Sequence, residues 1–219
     1  MRPTLLVEVW SDVVCPWCYI GKRRFERAAA LLADEVDLHI VYRPYQLDPG
    51  APPGQTMPVA EAYARKFGGP EAAQRAISHV TELAAAEGVE FHMDRALRAN
   101  TLLAHRLLFL AEATGHQPAL KERLLQAYFC DGLDVGDPEV LADIAAEVGL
   151  PRDNVAAFLA GDDGAQEVQR MIAIANDNDI HAVPTYVLDG RFTVPGAQDP
   201  DTFVNVIRRV LARRKETAS

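Results

Sequence analysis

The chain has 219 residues, 49% of them hydrophobic, with 31 acidic and 22 basic side chains and a formal charge of −9. That is enough apolar sequence for one large domain, or one domain with a substantial insertion, and too much for a disordered chain. The acidic balance argues against nucleic-acid binding, which needs clustered Lys and Arg, and no run approaches the ~18 apolar residues of a membrane span. The apolar start at residues 4–10 has Arg2 before it and is too short for a signal-peptide core with a cleavage site, so the expected compartment is the cytoplasm. Three cysteines do not make a disulfide scaffold. In a reducing compartment a close cysteine pair is expected to be catalytic or metal-binding.

Residues 4–10, a near-continuous apolar run rich in aliphatic residues, suit a buried parallel-type strand. Pro16 is well placed as a first helical residue, and Phe25, Ala28, Ala29 and Leu32 then recur at helical spacing. Val36, Leu38, Ile40 and Tyr42 alternate as a second strand, which completes a βαβ unit. Residues 43–58, rich in Pro and Gly, form a long connection. The pattern then turns helical for over a hundred residues. Leucines surround the helix near Leu102–Leu110 on all sides, which predicts burial between two layers. Leu120, Leu124, Leu125, Tyr128 and Phe129 make the apolar face of the next helix. Asp137-Pro138 reads as an N-cap and first-turn pair, and Gly115, Gly132, Gly149 and Gly161 sit where helices should stop. One more helix is expected over residues 165–176.

Strand signals return at residues 185–188. Asp189-Gly190 is a hairpin turn, and residues 191–194 pair back. A last helix opens at Asp199-Pro200, and its charged end after Leu211 is expected to fray. The order is βαβ, helical insertion, ββα, an α/β class. No repeat, phosphate-binding glycine loop or His-Glu-x-x-His metal motif interrupts it.

Cys15-Pro16-Trp17-Cys18 stands where the first strand gives way to the first helix. Unpaired N–H groups and the positive end of the helix dipole favour a thiolate there, so Cys15 is expected to have a lowered pKa and to act as nucleophile. Cys18, one turn in and less exposed, would resolve the mixed disulfide. Half of a zinc site has the same spacing, but the other half is missing: Cys130 is the only other cysteine and no histidine pair stands at ligand spacing. The chemistry requires no organic cofactor and no metal. Pro184, opening the third strand after Val183, reads either as a trans proline on an edge strand or as a cis proline facing the cysteines.

Cys15-Pro16-Trp17-Cys18-Tyr19-Ile20-Gly21-Lys22, Asn100-Thr101 with Ala104-His105, Ala127-Tyr128-Phe129, and Val183-Pro184-Thr185 with Pro195-Gly196-Ala197-Gln198 resemble, in order, the FrnE-like branch of the DsbA family. The resemblance runs over nearly the whole chain. It implies a thioredoxin-like fold with a large helical insertion: residues 1–43 and 177–219 form the thioredoxin-like domain, and residues 44–176 the inserted connection and helices. It also implies a thiol–disulfide oxidoreductase or isomerase with a cis Pro184 beside the pair. Pro16, Trp17, Val183 and Pro184 are then the expected substrate-binding residues, with Val183 offering its backbone to a substrate strand. The substrates expected are protein or small-molecule thiols and disulfides, with an unknown redox partner and glutathione as a candidate co-substrate.

Two departures carry consequences. Exported DsbA-type enzymes have His between the cysteines, and Trp17 should make this pair less oxidising. Ala182 stands where the family usually has Gly, so a backbone angle that needs glycine would be strained. A rival class, glutathione-dependent isomerases and transferases of the kappa type (2-hydroxychromene-2-carboxylate isomerase-like), resembles the chain in architecture. Those enzymes activate glutathione with Ser at the first cysteine position and need no resolving thiol.

Other residues read more plainly. Asp12 is expected to form a turn, with proton acceptance as the alternative. His105 is expected to be a core histidine, with a substrate-facing role beside Asn100 resting on the resemblance. Cys130 falls nearly opposite its helix's apolar face and is taken as an ordinary free thiol. Trp17 has no core to fill and is expected to offer an apolar docking surface. His39, His79, His92 and His116 form no constellation.

Overall fold

The computed structural model describes residues 2–217. Strand β1 (Thr4–Ser11) runs into helix α1 (Pro16–Leu31) and returns as β2 (Asp37–Pro44), which lies parallel to β1 with Val9 opposite Tyr42. After the helical insertion, β5 (Thr185–Leu188) pairs antiparallel with β1, and β6 (Phe192–Pro195) with β5, so the sheet order is β2-β1-β5-β6. Asp189 and Gly190 take positive φ of 57° and 63°, and Arg191 N–H closes on the Leu188 carbonyl at 3.1 Å. This is the type I′ turn that matches strand twist. Helix α9 (Pro200–Thr217) packs beside α1. Leu5, Val7 and Val9 alternate into the layer that these two helices form with Phe25, Phe203 and Ile207.

Within the insertion, a two-residue bridge joins β3 (Met57–Pro58) to β4 (Leu97–Arg98) around α2 (Val59–Phe67) and α3 (Pro70–Ala86). Helices α4 (Leu102–Ala113), α5 (Gln117–Gln126), α6 (Pro138–Glu147), α7 (Arg152–Ala160) and α8 (Ala165–Asp177) follow. Asp137 caps α6, accepting from Glu139 N–H at 2.8 Å and Val140 N–H at 3.2 Å; such a cap contributes about 1 kcal/mol. Helices α4, α5 and α8 lie against β2, the sheet's edge strand. Gln117 of α5 works as a substitute strand there, donating to the Tyr42 carbonyl at 3.1 Å and accepting from Tyr42 N–H at 2.9 Å. An edge covered in this way cannot pair with another chain. The helical core takes in Val13, Tyr19 and Ile20 from either side of the cysteine turn, beside Leu120, Leu124 and Phe129. The insertion therefore holds the start of α1 in place. No described helix is long and apolar enough to cross a membrane.

Helix α9 continues past Leu211 to Thr217, where Arg214 donates to the Thr4 carbonyl at 2.7 Å and pairs with Asp189. One expectation is corrected: Cys130 does not lie opposite the apolar face, because α5 passes into a π turn over Ala127–Asp131. The wider turn changes the residue phase. Cys130 is half-buried against the helical core, and burial raises its pKa.

Candidate active site

Cys15 is the N-cap of α1, in extended conformation, with Pro16 as first helical residue. Its carbonyl accepts from Cys18 N–H at 3.0 Å and Tyr19 N–H at 3.4 Å, so the turn closes directly behind the first thiol. Both cysteines are free thiols. The expected difference in exposure is absent: Cys15 is 2% exposed and Cys18 4%. Cys15 is covered because Trp10, Ala175, Ile180 and Val183 pack around the pair, with Tyr45 beside them and its hydroxyl donating to the His181 carbonyl at 3.1 Å. Burial pushes the Cys18 thiol well up, and a hydrogen bond and repulsion from Cys15 push it further. Cys18 therefore stays protonated beside its partner.

Val183–Pro184 is a cis peptide, and the Cys15 thiol donates to the Val183 carbonyl at 3.6 Å. Chain segments 168 residues apart thus meet at the first sulfur. Gly21 makes room for this approach. A Cβ there would lie 2.8 Å from the Tyr186 hydroxyl, 3.0 Å from Pro184 Cγ and 3.2 Å from Ala197 Cβ. Ala182 is not strained: it is outside the positive-φ residues, and its carbonyl accepts from Thr185 Oγ1 at 2.7 Å. Pro16 is buried, whereas Trp17 is 37% exposed with its ring 5.9 Å from that of His79.

Beneath the turn lies a buried charged cluster. Asp12 accepts from Val13 N–H and Leu47 N–H, each at 2.8 Å, and from His105 Nε2–H at 3.1 Å. The same nitrogen lies 3.0 Å from the Tyr45 carbonyl, so it carries the proton for both acceptors. Burial works to raise the Asp12 pKa, but the His105 and Leu47 hydrogen bonds and the nearby Lys121 charge hold it below the ordinary value. His105 is a core histidine, as expected, and its partner is Asp12. Asn100 donates to the Ala51 carbonyl at 2.7 Å and accepts from Leu102 N–H at the start of α4.

Lys121 went unnoticed in the sequence. It is 1% exposed, and its ammonium nitrogen has no hydrogen-bond partner. The signal was available: position 121 falls on the stripe of Leu120, Leu124, Leu125 and Tyr128, and a lysine on an apolar helix face marks a buried charge.

Two cavities flank the pair. One of about 340 Å³ lies behind Cys18 and is lined by Ser11, Tyr42 and Tyr186. The other, about 490 Å³, lies beside Val14 between Tyr63, Tyr128 and the β3–β4 bridge. Among the described residues, no group of three or more His, Cys, Asp or Glu is placed to hold a metal.

Comparison with known proteins bears on this site. The DSBA-like thioredoxin domain model matches residues 6–208. The uncharacterized protein YwbO of Bacillus subtilis (strain 168) is 29% identical over 207 residues, covering 93% of this chain and 96% of its own. The crystal structure of a probable DsbA oxidoreductase, SCO1869 of Streptomyces coelicolor, superposes with a TM-score of 0.88 at 35% identity, covering 95% of this chain and 90% of that one. A 2-hydroxychromene-2-carboxylate isomerase shares the fold at a TM-score of 0.70 and 15% identity, over 98% of this chain and 100% of its own. A thioredoxin-like sheet interrupted by helices, with a cysteine pair at the head of its first helix, places this chain in the DsbA-like thioredoxin family.

Proposed function

We propose that the protein is a thiol–disulfide oxidoreductase in which Cys15 attacks and Cys18 resolves. One arrangement carries this reading: Cys15 stands at the N-cap of α1, its thiol donates to the Val183 carbonyl before Pro184, and Cys18 follows it within the first turn of the helix. In the reductive direction, the Cys15 thiolate attacks one sulfur of a substrate disulfide. The S–S bond breaks, the other sulfur leaves with the electron pair, and a mixed disulfide forms. Cys18 then loses its proton and attacks the Cys15 sulfur. The second substrate thiol departs and takes up a proton. The enzyme ends oxidised by two electrons and the substrate reduced by two, and the reverse sequence oxidises a dithiol.

Pro16, Trp17, Val183 and Pro184 form the docking surface in this reading. Trp17 supplies apolar contact, and the Val183 backbone pairs with the substrate strand. The substrate is a protein or small-molecule disulfide, and the segment covering Cys15 moves aside to admit it. The dithiol pair is itself the redox group, so no metal or organic cofactor enters. A separate redox partner or the glutathione pool restores it, and the compartment proposed is the cytoplasm.

The test is insulin reduction with a thiol reductant. Wild type is expected to be active, with activity lost in both Cys15→Ser and Cys18→Ser. Full activity of Cys18→Ser with a glutathione-linked substrate would instead support the isomerase or transferase chemistry of the kappa type.

A further inference from the structure

We propose that Lys121 is the buried counter-charge for the Cys18 sulfur during the resolving step, a positioning residue supplied by the helical insertion. This rests on the oxidoreductase reading above. The resolving step requires a negative sulfur at a site 4% exposed to water, and an anion in such surroundings needs a nearby positive charge.

The fold puts one there. Gln117 clamps α5 to the backbone of Tyr42 by two hydrogen bonds, and Lys121, one turn later, places its ammonium 5.7 Å from the Tyr42 ring centre. Tyr42 and Cys18 line the same cavity behind the active site. The ammonium has no hydrogen-bond partner, so its charge is not committed to a fixed acceptor. The groups acting on it are Cys18 and Cys15 from the α1 turn, Asp12 from the end of β1 and Lys22 from α1, with Tyr42 from β2 against it and His105 from α4 reaching it through Asp12. Burial lowers the Lys121 pKa, Lys22 adds to that, and the negative groups oppose it.

In the step itself, the Cys18 S–H bond breaks and its proton leaves for the departing substrate thiolate or solvent. The Cys18 lone pair then forms the S–S bond to Cys15, and the bond from Cys15 to substrate breaks with its electron pair on the substrate sulfur. Lys121 gains and loses no bond. It lowers the free energy of the Cys18 anion while that anion exists.

The experiment uses 5,5′-dithiobis(2-nitrobenzoate) in a Cys130→Ser background. Attack by Cys15 releases one coloured thiolate, and resolution by Cys18 releases a second. In Lys121→Met the second phase should slow about tenfold at pH 7, while the first changes less than about threefold. The Cys18 titration, read in a further Cys15→Ser background, should move up by about one pH unit, which is the same tenfold. A folded Lys121→Met protein with an unchanged second phase and an unchanged Cys18 titration would overturn the proposal. Absence of a second phase in the Cys130→Ser parent would instead overturn the reading of Cys18 as resolving thiol. If Lys121→Met does not fold, ¹⁵N-lysine NMR of the native protein decides: the Lys121 titration should lie at least about one unit higher in the dithiol than in the disulfide form, and equal titrations would overturn the proposal.

Discussion

Gly21 on α1 and Pro184 before β5 are in such close contact that a side chain on Gly21 would meet the proline ring at 3.0 Å. The distance from helix to proline loop therefore depends on the missing Cβ. That loop carries the Val183 carbonyl, 3.6 Å from the Cys15 sulfur. Gly21→Ala should push Pro184 and Tyr186 away from α1 and cost about 1–3 kcal/mol, the range for overpacking a filled core. It should also slow exchange at Cys15, because the Val183 contact shifts with the proline. Denaturant unfolding and the rate of insulin reduction check the two effects; wild-type values for both would show that the loop is not held by this contact.

The Asp12 carboxyl ionises below its ordinary value of 3.8, because hydrogen bonds from His105 and Leu47 outweigh the cost of burial. A carboxyl depressed in the folded state adds stability that is fully present above the unfolded value and is lost as pH falls through the folded one. Asp12→Asn places an amide N–H against the Leu47 or His105 donor, which should cost about 1–3 kcal/mol at pH 7. That difference from wild type should shrink as pH drops below about 4. Unfolding measured from pH 7 to pH 3 checks this, and a constant difference would show that Asp12 does not titrate as described.

Lys121 should lower stability while it serves the chemistry. Burial lowers its pKa, so the folded state holds the lysine proton less tightly than the unfolded chain does. Its ammonium therefore destabilises the fold at pH values below the unfolded pKa, most fully below the folded one. Lys121→Met should raise stability at pH 7 by about 1–2 kcal/mol, as replacement of buried charges by apolar groups does elsewhere. The gain should be larger in the disulfide form, where no thiolate offsets the buried charge. Denaturant midpoints of the two redox forms test this; a loss of stability in both would contradict it.

The elements with strong local signals were legible in the sequence. The apolar run of β1, the Asp137 cap of α6 and the Asp189-Gly190 turn depend on neighbouring residues, and each appears where expected. The two-residue bridge between Met57–Pro58 and Leu97–Arg98 was not legible, because it joins segments about 40 residues apart with no strand pattern of its own. The cysteine turn was read from its spacing and its place at a strand-to-helix junction. The layer beneath it was not: Asp12 and His105 are 93 residues apart, and only the packing of α4 under the turn brings them together. Exposure also misled at Cys15, because the residues that cover it come from α8, the loop before Pro184 and the connection after β2.

The most direct test of the Cys15–Cys18 reading is a redox titration in glutathione buffers, with the thiols trapped by alkylation and counted by mass spectrometry. The expected result is one two-electron transition in which Cys15 and Cys18 leave the free-thiol pool together as an intramolecular disulfide. Its potential should be more reducing than the roughly −120 mV of DsbA, since Trp17 stands between the cysteines. A chain that accumulates only a Cys15–glutathione mixed disulfide, with Cys18 still free throughout, would contradict it.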